Sequence, residues 1–163
     1  MSIIQIVGFQ NSGKTTFAQK LIGHFKQSGM QVGIIKHHGH LNGLDIYADK
    51  DTGKLFEAGA DVAIANSPMS SEMFMRQDFG LKRSVALMQR QNMDVILIEG
   101  YKHAPYPKIV LLSKVEDLVL LETLQNIIGV YCTHGFILPP QYERLNLDMV
   151  SWLVWLEQHM VNL

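Results

Sequence analysis

The sequence predicts an α/β fold in which a mostly parallel β-sheet is flanked by helices. Short apolar runs alternate along the chain with segments of helical periodicity, which is the order of elements in α/β proteins. Several of these runs, "DVILIEG" at residues 94–100 among them, are apolar throughout instead of alternating with polar residues. Such runs indicate strands that are buried on both faces, as in a parallel sheet covered by helices.

The first half of the chain begins with a strand at Ile3–Val7 that ends at Gly8. A helix is expected at Lys14–Gln27, because Phe17, Leu21 and Phe25 recur at helical spacing and Gly29 follows the end. The next apolar runs predict three strands, the last of which we expect to pair antiparallel with its neighbour. These strands are Gln31–Lys36, Asp61–Asn66 and Ser71–Gln77.

The second half continues the alternation. A helix is expected at Leu81–Gln89, followed by a continuous apolar strand at Asp94–Gly100. Two further strands are predicted at Lys108–Leu112 and Ile127–Cys132. The chain closes with a helix near Asp148–Met160, where valines and leucines share one side.

Length and composition predict a single domain over residues 1–163. The chain has 163 residues, 47% of them hydrophobic, which is enough to bury one core. The formal net charge of −1 gives no basic field for nucleic acid or for an anionic membrane. No apolar run reaches bilayer length, and Cys132 is the one cysteine, which excludes an internal disulfide and a Cys-pair zinc site. We therefore expect a cytoplasmic protein without nucleic-acid or membrane partners.

The stretch "GFQNSGKTT" lies between the first strand and the first helix and matches the phosphate-loop pattern G-x-x-x-x-G-K-[ST]. Its backbone N–H groups are expected to bind phosphate oxygens at the positive end of the helix dipole. Lys14 would reach the β- and γ-phosphates, and the Thr15 hydroxyl would bind Mg²⁺. A plain strand-to-helix turn would need neither residue. The stretch predicts a P-loop NTPase fold whose nucleotide-binding residues are Gly8, Asn11, Ser12, Gly13, Lys14, Thr15 and Thr16.

A carboxylate at the carboxyl end of another buried strand is the natural second ligand for the metal. "DVILIEG" places Glu99 there, followed by Gly100. Such a carboxylate binds Mg²⁺ directly or through water, or orients the attacking water. An acid that merely ends a strand is the alternative interpretation. Asp94 begins the same strand about 16 Å away and is expected to be a structural cap.

The polar segment Lys36–Ala60 begins at the carboxyl end of a predicted strand, where α/β sheets bind ligands. Its length, acids and glycines suit a switch that γ-phosphate and Mg²⁺ order. Asp51 is a candidate metal ligand within it, and it could equally be the N-cap of the helix "TGKLFEA". With Lys14 and Glu99, Asp51 completes the candidate catalytic set.

Basic side chains are expected to surround the mouth of this site, where they would contact phosphate, substrate or a partner. A tight metal site built from the three histidines is the less favoured alternative, because no cysteine is near and no carboxylate completes a ligand set. The rim residues are Lys36, His37, His38, His40 and Lys102.

Four blocks of the sequence together resemble the MobB family, the molybdopterin-guanine dinucleotide biosynthesis protein B. The blocks are "GFQNSGKTT", "IIKHHGH", "DKDTGKLFEAGA" and "VILIEGYKHAPYPKIVL", which run from about Ile3 to Leu112 in the family's order. The resemblance implies a GTP- and Mg²⁺-binding P-loop protein that assists a MobA-type guanylyltransferase, which joins GMP to molybdopterin. It also implies a homodimer, leaves molybdopterin as a further candidate ligand, and assigns Glu99 and Asp51 to the metal or switch region.

Guanine preference rests on this resemblance, because the usual Asn-Lys-x-Asp box is absent. The nearest strings are Ser113–Asp117 and Cys132–Gly135. No arginine lies in the loops assigned to the site, so we expect slow intrinsic GTP hydrolysis that a partner or second subunit accelerates. Two other functions stay open at this point: a small-molecule kinase that uses ATP, and a nickel-type metallochaperone GTPase suggested by the histidines.

Overall fold

The computed structural model describes residues 1–38, 51–134, 137–143 and 148–159. The chain forms two compact units, one made of Met1–His37 with Val85–Leu163 and the other of His38–Ser84. Among the described residues, no helix has both the length and the apolar character needed to cross a membrane. That the chain acts as a single domain stays a prediction.

The larger unit is built on a parallel sheet of five strands. In chain order these strands are β1 (Ser2–Val7), β2 (Val32–Lys36), β5 (Val95–Glu99), β6 (Lys108–Leu112) and β7 (Ile127–Cys132). Their order across the sheet is β2-β5-β1-β6-β7, and every neighbouring pair is parallel. The predicted α/β fold with a mostly parallel sheet is confirmed.

Helices cover this sheet, and α1 (Lys14–Gln27) and α6 (Met149–His159) contribute to the core on one face. The side chains of β1 and β6 alternate between the two faces, so that Ile4 and Ile109 pack with Phe17 and Trp152. On the other face, Val7 and Val110 pack against a 3-10 turn (Val115–Leu118) and α4 (Val119–Thr123). Coverage on both faces explains why every residue of β5 and β6 is buried.

The smaller unit contains α2 (Asp51–Glu57) and a two-stranded antiparallel sheet, β3 (Val62–Asn66) and β4 (Ser71–Met75). The antiparallel pairing expected for the fourth strand is therefore confirmed. One face of the pair is covered, where the Phe74 ring lies 5.9 Å from that of Phe56 on α2. The other face is exposed. The sequence analysis inferred burial on both faces from the apolar character of the strands, and this prediction is wrong for β3. In the part of the chain that the structure describes, no helix covers its outer face as helices cover the parallel sheet.

The remaining helices are α3 (Gly80–Arg90), which contains the boundary between the units, and α5 (Pro140–Glu143). The 3-10 turn, α4 and α5 were not predicted from the sequence. The bounds of α1, β6 and β7 agree with those predicted. Asp94 is a structural cap as expected, since its carboxylate accepts a 2.7 Å hydrogen bond from the Gln31 amide.

Candidate functional site: a phosphate loop beside a threonine–glutamate–lysine cluster

The loop between β1 and α1 requires its two fixed glycines for different reasons. A Cβ at Gly8 would lie 2.3 Å from Ser12 Oγ and 2.9 Å from the Leu111 carbonyl oxygen, so the position has no room for a side chain. Gly13 instead adopts φ of +83°, in the left-handed region that glycine tolerates best, and Asn11 has φ of +62°. Close packing at one end and backbone curvature at the other fold residues 8–13 into a compact loop.

The loop ends at the open amino end of α1. The first hydrogen bond of the helix runs from the Phe17 amide to the Gly13 carbonyl oxygen at 2.9 Å. Gly13 is the N-cap residue, and the helix start has no side-chain capping hydrogen bond. The amides of Gly13, Lys14, Thr15 and Thr16 therefore lack partners within the helix. Four N–H donors at the positive end of a 14-residue helix dipole are the arrangement that favours anion binding at a helix start.

Two further features of the loop fit a phosphate-binding role. The Ser12 hydroxyl is buried and has no hydrogen-bond partner among the described residues, although the Ser12 amide donates to the Phe9 carbonyl oxygen at 3.3 Å. A cavity of about 180 Å³ beside the helix start is lined by Gly13 and Thr16 together with Tyr131 and Thr133 at the end of β7. It provides room next to the loop for a group attached to the phosphates.

Lys14 lies across the loop, where its ammonium donates to the Phe9 carbonyl oxygen at 2.6 Å. Burial lowers the pKa of Lys14, the nearby Glu99 carboxylate opposes this, and the positive charges of Lys102 and Lys36 lower the pKa further. Three lysines and one carboxylate thus act electrostatically on one another at the loop. The excess of positive charge favours an anion with several negative charges.

Thr15, Glu99 and Lys36 form a cluster at the carboxyl edge of the sheet. The Thr15 hydroxyl lies 3.2 and 3.1 Å from the two Glu99 carboxylate oxygens. The Lys36 ammonium lies 3.2 Å from Thr15 Oγ1 and 3.4 Å from Glu99 Oε1. Hydroxyl and carboxylate oxygens are the hard donors that Mg²⁺ prefers, and a cation already contacts both. The residues present therefore fit the metal expected at Thr15 and Glu99.

The segment after Glu99 crosses the end of β1 in eight residues, 100–107, before β6 begins. Both ends of the segment are hydrogen-bonded to β1. The Gly100 amide donates to the Ile6 carbonyl oxygen, and the Gln5 amide donates to the Pro107 carbonyl oxygen. The Gln5 side-chain amide, fully buried, donates to the carbonyl oxygens of Gly100 at 2.7 Å and of Tyr101. This short crossover fixes Glu99 relative to the phosphate loop.

Gln5 and Lys108 are positioning residues that the sequence analysis missed. Lys108 is 1% exposed, and its ammonium donates to the carbonyl oxygens of Ala104 and of Tyr106, the latter at 2.9 Å. Burial lowers the pKa of Lys108. The sequence feature that could have identified them is a polar residue in a continuous apolar run. Gln5 lies within "IIQIV", and Lys108 begins "KIVLL". A buried polar group in such a run needs a partner, and here the partners belong to the crossover.

The predicted rim residues occupy different positions. The Lys102 ammonium lies 4.1 Å from the centre of the Phe9 ring, beside the loop. His37 donates its amide to the Glu99 carbonyl oxygen at 2.9 Å and stacks its ring on Tyr101 at 4.3 Å. His37, Tyr101 and Lys102 line a cavity of about 570 Å³. His38 is exposed, and His40 lies outside the described residues.

Asp51 begins α2 instead of preceding it, in the smaller unit, and its fully exposed carboxylate lies 3.8 Å from the Lys54 ammonium. Its role at the metal stays a prediction. Arg76 donates to the carbonyl oxygens of Ala60 and Phe56, so it stabilises the smaller unit. Within the described ranges, no three His, Cys, Asp or Glu side chains converge as a metal site would require. The structure thus offers no specific observation for a metallochaperone.

The string Ser113–Asp117, the nearest match to a guanine-reading box, closes a turn after β6. Asp117 is buried, and its carboxylate accepts hydrogen bonds from the Ser113 amide and hydroxyl at 2.7 and 2.8 Å and from the Lys114 amide at 3.2 Å. Burial alone would raise the pKa of Asp117, and these bonds with the Lys114 charge outweigh it and lower the pKa. Asp117 therefore stabilises the turn.

Comparison with known proteins identifies the family. The family model described as "Molybdopterin guanine dinucleotide synthesis protein B", MobB, matches residues 3–133. The chain belongs to the MobB family. The match covers the phosphate loop, the Thr15–Glu99–Lys36 cluster and the crossover, so the resemblance seen in the sequence is confirmed.

Individual MobB relatives agree over most of the chain. A probable molybdopterin-guanine dinucleotide biosynthesis adapter protein of Bacillus subtilis is 41% identical over 130 residues, covering 79% of this chain and 75% of the relative. An adapter protein of the same description from Haemophilus influenzae is 30% identical over 149 residues, 90% of this chain and 81% of the relative. A crystal structure of Bacillus subtilis MobB superposes with a TM-score of 0.79 at 35% identity, covering 97% of this chain and 98% of the other.

Proposed function

We propose that this chain binds GTP with Mg²⁺ and acts in the cytoplasm as an adapter in the biosynthesis of molybdopterin guanine dinucleotide. Its partner would be a MobA-type guanylyltransferase, with molybdopterin as a further candidate ligand. Membership of the MobB family and the names of the relatives support the pathway. The single observation that carries nucleotide binding is the grouping of the open α1 amides, the Lys14 ammonium and the Thr15–Glu99 pair at the first turn of α1.

Each group has a distinct task in this proposal. The amides of Gly13–Thr16 and the Lys14 ammonium bind the phosphate chain and neutralise its charge. Lys14 exchanges its bond to the Phe9 carbonyl oxygen for bonds to phosphate oxygens. Thr15 and Glu99 would hold Mg²⁺, which would help to neutralise the charge of the phosphates. The crossover, anchored by the buried Gln5 and Lys108 side chains, would keep Glu99 in place while ligands exchange.

Substitution of Lys14 tests nucleotide binding. Lys14→Ala should weaken binding of a labelled guanine nucleotide by about 10- to 100-fold, because charge-assisted hydrogen bonds to phosphate are lost. Lys26→Ala is the matched control, since Lys26 lies in the same helix and bonds to the Met30 carbonyl oxygen at its far end. Equal affinity of Lys14→Ala and wild type would refute the site. Displacement of the label by ATP as readily as by GTP would refute the guanine preference.

Hydrolysis by the isolated chain should be slow, because positioning and charge neutralisation are present without an arginine contributed at the phosphates. Of the described arginines, Arg76 is engaged in the smaller unit and the other two lie on α3. Single-turnover measurements with and without a guanylyltransferase test this. Turnover of tens per second by the isolated chain would contradict the proposal.

A homodimer is part of the proposal, and the exposed face of the β3–β4 pair supports it. Val62, Ile64 and Met73 on that face are 47, 58 and 46% exposed. A lone two-stranded sheet with an uncovered apolar face is marginally stable in water, and a second copy could cover it. Sedimentation should give a dimer for wild type and a monomer for Ile64→Lys. A monomeric wild type at micromolar concentration would overturn this part.

A further inference from the structure

We propose that the ammonium of Lys36 occupies the metal position of the nucleotide-free protein, so that Mg²⁺ enters only together with a phosphate chain that draws Lys36 away. The inference deepens the proposed function and rests on it. Lys36 is thereby the residue that makes metal binding depend on nucleotide. Nothing in the family description or in the relatives' names assigns it this role.

The geometry of three side chains carries the inference. Thr15 Oγ1 and the Glu99 carboxylate oxygens are 3.1 to 3.2 Å apart. Two oxygens that share one Mg²⁺ at about 2.1 Å on adjacent octahedral positions lie about 3 Å apart, close to that separation. The Lys36 ammonium lies 3.2 and 3.4 Å from the same two side chains. It therefore fills the space that an ion bound to both oxygens would need.

The fold holds Lys36 at this point. Lys36 ends β2 and is paired in register with Glu99 at the end of β5, so the two side chains leave adjacent parallel strands at the same level. Thr15 reaches the pair from the first turn of α1. Lys36 nevertheless keeps 42% of its side chain exposed, whereas Glu99 keeps 9%. A partly exposed lysine can leave, while the buried carboxylate stays.

Electrostatics then couples the metal to the phosphates. An ammonium and a divalent ion repel each other strongly at about 3 Å, so they cannot share Thr15 and Glu99. A phosphate chain removes the conflict, because it offers oxygen acceptors to Lys36 and ligand oxygens to the metal. Free Mg²⁺ without nucleotide should therefore bind this site poorly.

Manganese binding without nucleotide tests the inference directly. Free Mn²⁺ is counted by its electron paramagnetic resonance signal in titrations of the intact chain. Lys36→Met should bind Mn²⁺ about tenfold more tightly than wild type, because the competing charge is gone and the aliphatic stem is kept. Adding Glu99→Gln to Lys36→Met should abolish the gain, which assigns the new binding to this site.

Lys102→Met is the matched control. Lys102 also acts electrostatically on Lys14, but its ammonium lies over the Phe9 ring instead of contacting Thr15 or Glu99. Its loss should raise nucleotide-free Mn²⁺ affinity much less than the loss of Lys36 does, because its ammonium is held over the Phe9 ring and not against Thr15 and Glu99. Equal gains for Lys36→Met and Lys102→Met would overturn the inference in favour of a general charge effect, and no gain for Lys36→Met would overturn it outright. If Lys36→Met folds poorly by circular dichroism, Lys36→Gln is used with the same expected outcomes.

The experiment separates this inference from the proposed function. A wild-type chain that binds no guanine nucleotide would refute the proposed function, whatever the manganese result. A chain that binds GTP normally, but whose Lys36 variants gain no Mn²⁺ affinity, would refute the inference alone.

Discussion

The two sheets of this protein are made from similar apolar runs, but the parallel sheet is covered on both faces and the antiparallel pair on one. In the parallel sheet, Ile109 is fully buried between α1 and α6. In the antiparallel pair, Ile64 is 58% exposed. A run such as "DVAIAN" thus indicates a strand without indicating how many of its faces are covered. Coverage depends on which helices pack against the sheet, which is a property of the whole chain.

The two sheets also differ in which side chains they bury and which they expose. The parallel sheet buries Gln5 and Lys108, both of which donate to carbonyl oxygens of the crossover next to the candidate site. The β3–β4 pair instead presents Val62, Ile64 and Met73 to the surface. In the parallel sheet the buried polar side chains of Gln5 and Lys108 have hydrogen-bond partners, whereas the antiparallel pair leaves apolar side chains exposed. Four predictions test this difference, from the largest expected effect to the smallest.

Close packing in the parallel-sheet unit is tested at Gly129 on β7. A Cβ there would overlap the ring of Trp152, which is 1% exposed, so Gly129→Ala should destabilise the fold by about 3 kcal/mol or more. Chemical denaturation measures the loss. Gly23→Ala is the control, because nothing lies within 4 Å of its Cβ and alanine favours a helix. Tolerance of both changes would refute close packing at Gly129.

The contrast between the sheets is tested with one substitution at two positions. Ile109→Ala should cost about 3 kcal/mol, because it leaves a cavity in the core, whereas Ile64→Ala should cost less than about 1 kcal/mol. Urea denaturation at two protein concentrations gives both values. If the exposed face is covered by a second copy, the cost of Ile64→Ala will rise with protein concentration. Equal costs at high dilution would contradict the difference in burial.

The polar anchor of the crossover is tested at Gln5. Gln5→Leu leaves the partly buried carbonyl oxygens of Gly100 and Tyr101 without this donor, and should cost about 2 kcal/mol of stability. It should also weaken nucleotide binding, since the crossover fixes Glu99. Gln89→Leu on the exposed side of α3 is the control and should change stability by less than about 0.5 kcal/mol. Unchanged stability and affinity in Gln5→Leu would remove Gln5 from the positioning residues.

The turn after β6 is tested by pH. Because its hydrogen bonds lower the pKa of Asp117, ionised Asp117 contributes stability above its unfolded pKa of about 4, and this is lost as pH falls through the folded pKa. Asp117→Asn should therefore cost about 1 to 2 kcal/mol at pH 7 and less at pH 3. Glu116→Gln, at an exposed neighbour, is the control. A pH-independent difference would contradict this role.

Much of the fold and of the site followed from local pattern. The bounds of α1 were predictable because apolar spacing and Gly29 define that helix, and Lys14, Thr15 and Glu99 follow from a motif and a strand end. The turn and α4 at Val115–Thr123 were missed, because their apolar residues carry no clear period between two strands. The contact of Lys36 with Glu99 depends on β2 lying beside β5, although more than 60 residues separate Lys36 from Glu99 in the sequence. No local pattern contains that neighbourhood.

The order of the strands also determines which part of the site can rearrange. β1 lies between β5 and β6, and the eight-residue crossover joins those two over its end, so the Glu99 carboxylate and the phosphate loop form a fixed frame. β2 lies at one edge of the described sheet and carries Lys36 at its end. A response to nucleotide should therefore begin at this edge strand, while the central strands stay still.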